Sequence, residues 1–245
     1  MSKKKKHIIG GITGGIGHSL AQALLDEGHT VGGFSRNTDH ANLDSATLRN
    51  CDATDPEAIE ATLLALNEEL GGIDCYTHAI GSIFLRPAHL TSPADWHTTI
   101  RQNLDSAFYA LRVLTKMMSK QGSGSCLFFS TAAAQSGIAS HEAIAAAKGG
   151  LEAMVRSAAA SYSSRGLRIN AIAPSLTDTP LSKDITGNAQ ALEISKRMHP
   201  LGSIGQADDV ASLAAWLHSD AAKFVTGQTY VIDGGISAIV PKPKA

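Results

Sequence analysis

Short apolar runs alternate along the chain with longer segments whose apolar residues recur at helical spacing. Ile8 and Ile9 form the first run, over 7–9, and 19–27 reads as a helix closed by Gly28. A second strand is predicted over 30–34 and a third over 48–52. The polar stretch 37–50 leaves room for little or no helix. Residues 56–70 read as a helix with Pro56 in its first turn, followed by a strand over 73–79 and helices across 93–120. A fifth strand over 126–130, a long Ala-rich helix over 142–162 and a sixth strand over 168–173 come next. The segment 179–199 is polar, lacks a clean period, and reads as a loop with short helices. A helix over 208–218 and a strand over 229–232 end the pattern. Strands that alternate with helices in this way predict a doubly wound α/β fold. The expectation is one domain over 1–245, with a parallel sheet of about seven strands.

Composition narrows the function classes. The apolar fraction is 43% and the formal net charge −1, so nothing points to a nucleic-acid or membrane partner. Cys51, Cys75 and Cys126 are far apart and match no metal-ligand spacing, so no metal is expected. An odd number of cysteines fits free thiols in a reducing cytoplasm. The basic run from Lys3 to Lys6 reads as a solvated tail, because glycines soon break the apolar stretch that follows.

Those glycines carry the first chemistry. Gly10-Gly11-Ile12-Thr13-Gly14-Gly15-Ile16-Gly17 joins the first strand to the first helix. A backbone without Cβ atoms can turn sharply there and approach a pyrophosphate closely, and the helix start offers free N–H groups. The placement makes the fold Rossmann-like, with Gly11, Thr13, Gly14, Gly15, Ile16 and Gly17 as candidate cofactor contacts. An enzyme using NAD would place an acidic residue at the end of the second strand, but this chain has Ser35-Arg36-Asn37. A hydroxyl followed by a guanidinium suits a 2′-phosphate, so NADP(H) is expected ahead of NAD(H).

The spacing of Gly11, Gly15 and Gly17 resembles the TGxxxGxG turn of the short-chain dehydrogenase/reductase family, with Gly10 at the family's Thr. Other matches follow in order along the chain. Asp52 and Ala53 resemble the segment that contacts adenine, and Ala79-Ile80-Gly81 resembles the cofactor motif after the fourth strand. Asn103 resembles the family Asn of the fourth helix. Pro174 and Thr179 resemble the segment that fixes the nicotinamide amide. Gly227-Gln228-Thr229 and Asp233-Gly234-Gly235 resemble the C-terminal strand and its turn.

The family's proton donor is missing. Its catalytic Tyr lies four residues before a Lys, on one helix face. Lys148 is present and the resemblance makes it a ribose ligand, but Ile144 occupies the Tyr position. The family Ser falls on Thr131, or on Ser130 with a one-residue shift. Loss of a general acid typically lowers a rate by roughly 10²–10⁴-fold. His78-Ala79-Ile80-Gly81 resembles the His-Ser-Ile-Gly motif of the enoyl-acyl-carrier-protein reductase branch, whose Tyr lies seven residues before the Lys. His141 takes that place here. The candidate catalytic set is therefore Asn103, Thr131, His141 and Lys148, with His78 as a structural residue of the cofactor pocket.

The function expected is an NADPH-dependent reductase of a small-molecule carbonyl or activated C=C. Its pocket would be formed by 84–93 and 179–199. A non-catalytic NADPH-binding sensor or partner subunit is the alternative; the retained Lys148, Asn103 and Thr131 favour the enzyme. Family resemblance also implies a homotetramer packed through the Ala-rich helix.

Overall fold

Ile8 and Ile9 belong to opposite apolar layers on the two faces of the first strand, and the whole architecture follows that division. The computed structural model describes residues 4–240; Lys3 lies outside the described residues. The strands are β1 (Lys6–Gly10), β2 (Thr30–Ser35), β3 (Thr47–Asn50), β4 (Cys75–His78), β5 (Gly124–Phe129), β6 (Leu167–Pro174), β7 (Thr177–Asp178), β8 (Gly205–Gln206) and β9 (Thr229–Ile232). The helices are α1 (Gly15–Asp26), α2 (Pro56–Glu69), α3 (Pro93–Ile100), α4 (Ser106–Gln121), α5 (Glu142–Tyr162), α6 (Lys183–Thr186), α7 (Ala189–Met198) and α8 (Ala207–His218).

Seven strands form one parallel sheet in the order β3-β2-β1-β4-β5-β6-β9. Ile8, Phe34, Tyr76 and Phe128 pack on one face with Leu63 of α2, Leu114 of α4 and Val155 of α5. Ile9, Val31, Leu127 and Phe129 pack on the other with Leu20 of α1 and Leu217 of α8. Full burial of each such side chain contributes about 1.5–3 kcal/mol relative to exposure. Because both faces are covered, the strands read as continuous apolar runs. The strand order reverses between β1 and β4, and a crevice opens beyond their carboxyl ends at such a switch point.

Element starts follow local chemistry. Asp55 caps α2 by accepting from the backbone N–H groups of Glu57 and Ala58. By contrast, no side chain caps α1, whose N-cap is Gly14.

Three features depart from the sequence reading. Helix α1 begins at Gly15, four residues before the predicted start at Ser19, because the glycine turn leads straight into it. A single π-helical turn, Arg101–Asp105, joins α3 to α4 and carries Asn103. Between Thr177 and Gln206 the chain adds a two-stranded parallel sheet, β7 with β8, alongside α6 and α7. These strands are only two residues long, below what alternation can reveal.

Candidate active site

The turn after β1 keeps its glycine positions bare because its neighbours crowd them. Gly11 has φ +80°, and a Cβ there would lie 2.5 Å from the Ala79 carbonyl oxygen. A Cβ on Gly17 would lie 2.3 Å from the Gly11 oxygen, so neither position admits a side chain. The Thr13 N–H donates to Ser35 Oγ at 3.2 Å, which ties the turn to the end of β2. Since no side chain caps α1, its first N–H groups remain available to an anion.

Arg36 and Asn37 follow Ser35 on the surface, and Arg36 forms no salt bridge among the described residues. Asp52 is exposed beyond β3, and its carboxylate accepts from the Thr54 N–H and hydroxyl at 2.9 and 2.8 Å. Those bonds hold its carboxyl below the usual carboxylate range, helped by the charges of Arg36 and Arg101. Ala53 beside it is buried.

Lys148, on α5, is 5% exposed and forms no ion pair among the described residues. Burial pushes its ammonium down to about 8. Gly81, past the end of β4, is packed closely by the polar side chains of Asn103 and Lys148. A Cβ there would lie 3.5 Å from Lys148 Nζ and 2.9 Å from Asn103 Oδ1. Ile144, one turn before Lys148, is buried and supplies only hydrocarbon.

The hydroxyls after β5 divide their work. Ser130 Oγ donates to Glu152 Oε1 at 2.6 Å, whereas Thr131 Oγ1 accepts a single 3.3 Å bond from the Ala133 N–H. Thr131 therefore keeps its hydroxyl proton for another partner. His141 precedes α5, and its Nδ1–H donates to the Ala139 carbonyl at 2.8 Å. In the neutral ring its other nitrogen is then an acceptor. The Nδ1–H is thus committed to Ala139 and not offered to substrate.

His78 is locked. It accepts from the Tyr76 hydroxyl at Nδ1 (2.8 Å) and bonds Ser106 Oγ through Nε2 (3.1 Å). The Ser106 hydroxyl itself donates to the Gln102 carbonyl, so Nε2 carries the hydrogen. Burial, then the Lys148 charge, holds its imidazole down to about 3.

A cavity of about 410 Å³ joins these parts. Gly14, Gly15, Ile16, Ala79, Ile80 and Gly81 line one end, and Asn103, Thr131, His141 and Lys148 the centre, with Pro174 and Thr179 nearby. Ile83, Leu85, Leu181, Ile185 and Met198 make an apolar outer wall. The predicted pocket segments thus contribute Leu85 from 84–93 and seven residues, among them Leu181 and Met198, from 179–199. Ser35, Arg36, Asn37, Asp52 and Ala53 lie outside this cavity, at the far side of the glycine turn.

Sequence reasoning missed two polar groups. Glu152 is buried and bonded to Ser130 and Gln135. Ser175 and His199, both lining the cavity, are bonded to each other at 2.8 Å. No spacing could have joined residues 24 positions apart. No group of three or more His, Cys, Asp or Glu among the described residues could hold a metal ion. The glycine-rich turn, the uncapped helix start and the buried lysine without an ion pair among the described residues together fit a dinucleotide.

Residues 11–237 match the family model described as enoyl-(acyl carrier protein) reductase. The chain is 29% identical over 240 residues to D-threitol dehydrogenase of Mycolicibacterium smegmatis, covering 94% of this chain and 92% of that protein. It is 28% identical over 235 residues to 3-oxoacyl-[acyl-carrier-protein] reductase of Vibrio harveyi, covering 94% and 96%. The structure of levodione reductase superposes with a TM-score of 0.92 at 28% identity, covering 98% and 100% of the two chains. With the sheet order, the glycine turn and the match along nearly its whole length, the chain belongs to the short-chain dehydrogenase/reductase family of NAD(P)-dependent oxidoreductases.

Proposed function

We propose that the protein is an NADPH-dependent reductase acting on the carbonyl or activated C=C of an apolar small molecule. One observation carries the reading: Lys148 and Asn103 pack against Gly81 and line, with Gly14, Gly15 and Gly17 of the glycine turn, one cavity. The uncapped start of α1, with Gly11 to Gly17 before it, would hold the pyrophosphate. Ser35, Arg36 and Asn37 would hold the 2′-phosphate, with Asp52 and Ala53 beside the adenine. Lys148 would hold the nicotinamide ribose, and Ala79, Ile80, Pro174 and Thr179 would frame the ring.

A bound reduced nicotinamide supplies a hydride. The chain's own residues do the rest. Thr131 donates its hydroxyl proton as a hydrogen bond to the substrate oxygen where negative charge develops. Lys148 adds positive charge to the same region. Asn103 fixes the loop after β4 against the π-helical turn. His141 orients the substrate through its free nitrogen. Ile144 stands at the family Tyr position and cannot donate a proton. The apolar outer wall excludes water and favours acyl, cyclic or quinone-like substrates over sugars.

Three buried free thiols suit a reducing cytoplasm, and the Ala-rich α5 suits close packing in a homotetramer. The test is NADPH oxidation against ketones, quinones and enoyl thioesters. Turnover with one class identifies the substrate. NADPH binding without turnover on any of them rejects the reductase and leaves a cofactor-binding sensor or partner subunit.

A further inference from the structure

Ser175 is the first residue beyond β6, whose last residues pair with β5 on one side and β9 on the other. The Ser130 N–H donates to the Ile172 carbonyl, so the chain at Thr131 runs beside the chain approaching Ser175. Adjacent strands lie about 4.8 Å apart. Both hydroxyls thus open into one cavity from neighbouring strand ends.

Behind Ser175 stands His199, 4% exposed, at the end of α7. Its Nδ1–H donates to the Ser195 carbonyl at 2.6 Å, which fixes the tautomer. In the neutral ring Nε2 accepts from the Ser175 hydroxyl at 2.8 Å. In the protonated ring Nε2–H donates to Ser175 Oγ instead, and the serine hydrogen is free to point into the cavity. Asp233, buried in the turn after β9, is the charged group on that side, and Lys148 lines the cavity from α5. The Asp233 carboxylate accepts from Gly235 N and from Ser237 N and Oγ. Burial raises its carboxyl, but these bonds and the His199 charge bring it below the usual carboxylate range.

We propose that Ser175, recharged by His199, delivers the proton that the missing tyrosine would supply. The inference rests on the reductase reading above. As the hydride reaches the electrophilic carbon, the Ser175 O–H bond breaks and its proton passes to the substrate oxygen, giving an alcohol or an enol. The proton on His199 Nε2 moves to Ser175 Oγ, and the neutral ring takes a proton from water. One hydride and one proton are added, and the serine is regenerated. His141 lacks such an arrangement, since among the described residues its ring is bonded to the Ala139 carbonyl and to no hydroxyl.

The experiment measures kcat, its pH profile and the NADPH dissociation constant for Ser175→Ala, Ser175→Thr and His199→Gln, using the substrate that wild type reduces fastest. Ser175→Ala and His199→Gln are expected to lower kcat roughly 10²-fold, with NADPH affinity within about twofold. Ser175→Thr keeps the hydroxyl and should retain most of the rate. A fall of wild-type kcat with rising pH, expected of a relay that needs a protonated imidazole, should vanish in His199→Gln. If Ser175→Ala does not fold, Ser175→Gly removes the same hydroxyl. Undiminished kcat without the hydroxyl overturns the relay alone, and so does an equal loss in Ser175→Thr. No turnover by wild type on any substrate overturns the reductase reading, and the relay with it.

Discussion

Ser82 and Asn103 are bonded reciprocally: the Ser82 N–H donates to Asn103 Oδ1 at 3.0 Å, and Asn103 Nδ2 donates to Ser82 Oγ at 2.9 Å. A third bond, from Nδ2 to the Thr99 carbonyl at 3.0 Å, closes the clasp inside the π-helical turn. The pair fixes the strand-end loop that carries Gly81 against the helix that faces Lys148. Asn103→Leu keeps the volume but strands the Ser82 N–H and removes all three bonds. A loss of about 2–4 kcal/mol is expected. In a chain of this size that lowers Tm by roughly 5–12 °C, measurable by thermal denaturation without cofactor. A Tm within 2 °C of wild type would mean that the loop is held by other contacts.

Lys148 gives a stability effect of known sign. Its folded value is about 8 against an ordinary 10.5, so between those pH values the unfolded chain binds one more proton than the folded one. Stability therefore rises through that window, by about 1.4 kcal/mol per pH unit for one proton. Cys75 and Cys126 oppose it, since burial pushes both thiols up to about 12 and folded stability falls once the unfolded thiols ionise. The comparison is thus Lys148→Met minus wild type, in which the thiols cancel. The variant should be more stable at pH 7 and lose that advantage by pH 10.5, in urea titrations. It should also bind NADPH at least tenfold more weakly. Parallel curves across the window would show the lysine is not desolvated.

The sheet was legible because its signal is redundant. The inner strands, buried on both faces, carry runs such as Ile8-Ile9 or Leu127-Phe128-Phe129, and the longer helices carry start or stop signals such as Pro56 and Gly28. Lys148, Thr131 and the glycine turn were legible because short fixed spacings tie them to one helix or one turn. The Ser175–His199 pair was not, because its partners meet only once α7 packs over the end of β6. The tautomer of His141 was equally hidden, since it depends on the backbone at Ala139, next to Ser140 with φ +64°.

Arg36 should set cofactor choice. It is exposed beside the buried Ser35, whose hydroxyl already braces Thr13, so the guanidinium is the free group at the end of β2. An exposed charge-assisted phosphate contact contributes about 1.5–3 kcal/mol. Arg36→Ala should weaken NADPH by roughly 10- to 100-fold and leave NADH within about threefold, by fluorescence titration. Equal weakening of both cofactors would place Arg36 on a group they share.

The opposite end of the sheet holds a histidine cluster with an acid sensitivity of its own. His7 on β1 is 2% exposed, and neither ring nitrogen has a hydrogen-bond partner among the described residues. Its ring packs edge-on against His29 and His218, with centroids 5.0 and 5.6 Å away. Burial, then the neighbouring His29 and Lys5 charges, pushes its imidazole down to about 3. Below an ordinary 6.5 the unfolded chain takes up a proton that folded His7 refuses, so stability is lost as pH falls from about 6.5 towards 3. His218 and His78 are depressed mainly by burial and act in the same direction, so wild type should lose stability steeply in this range. His7→Phe keeps the edge-on ring contacts and removes two unpartnered nitrogens, so stability at pH 7 should not fall and should rise by about 1 kcal/mol. More decisively, its stability should decline less steeply between pH 6.5 and 4.5, by about 1.4 kcal/mol per pH unit, the slope of one proton. Urea midpoints for both proteins across that range measure the difference. Parallel curves would mean that folded His7 accepts its proton as readily as the unfolded chain does, through an opening of the cluster to water.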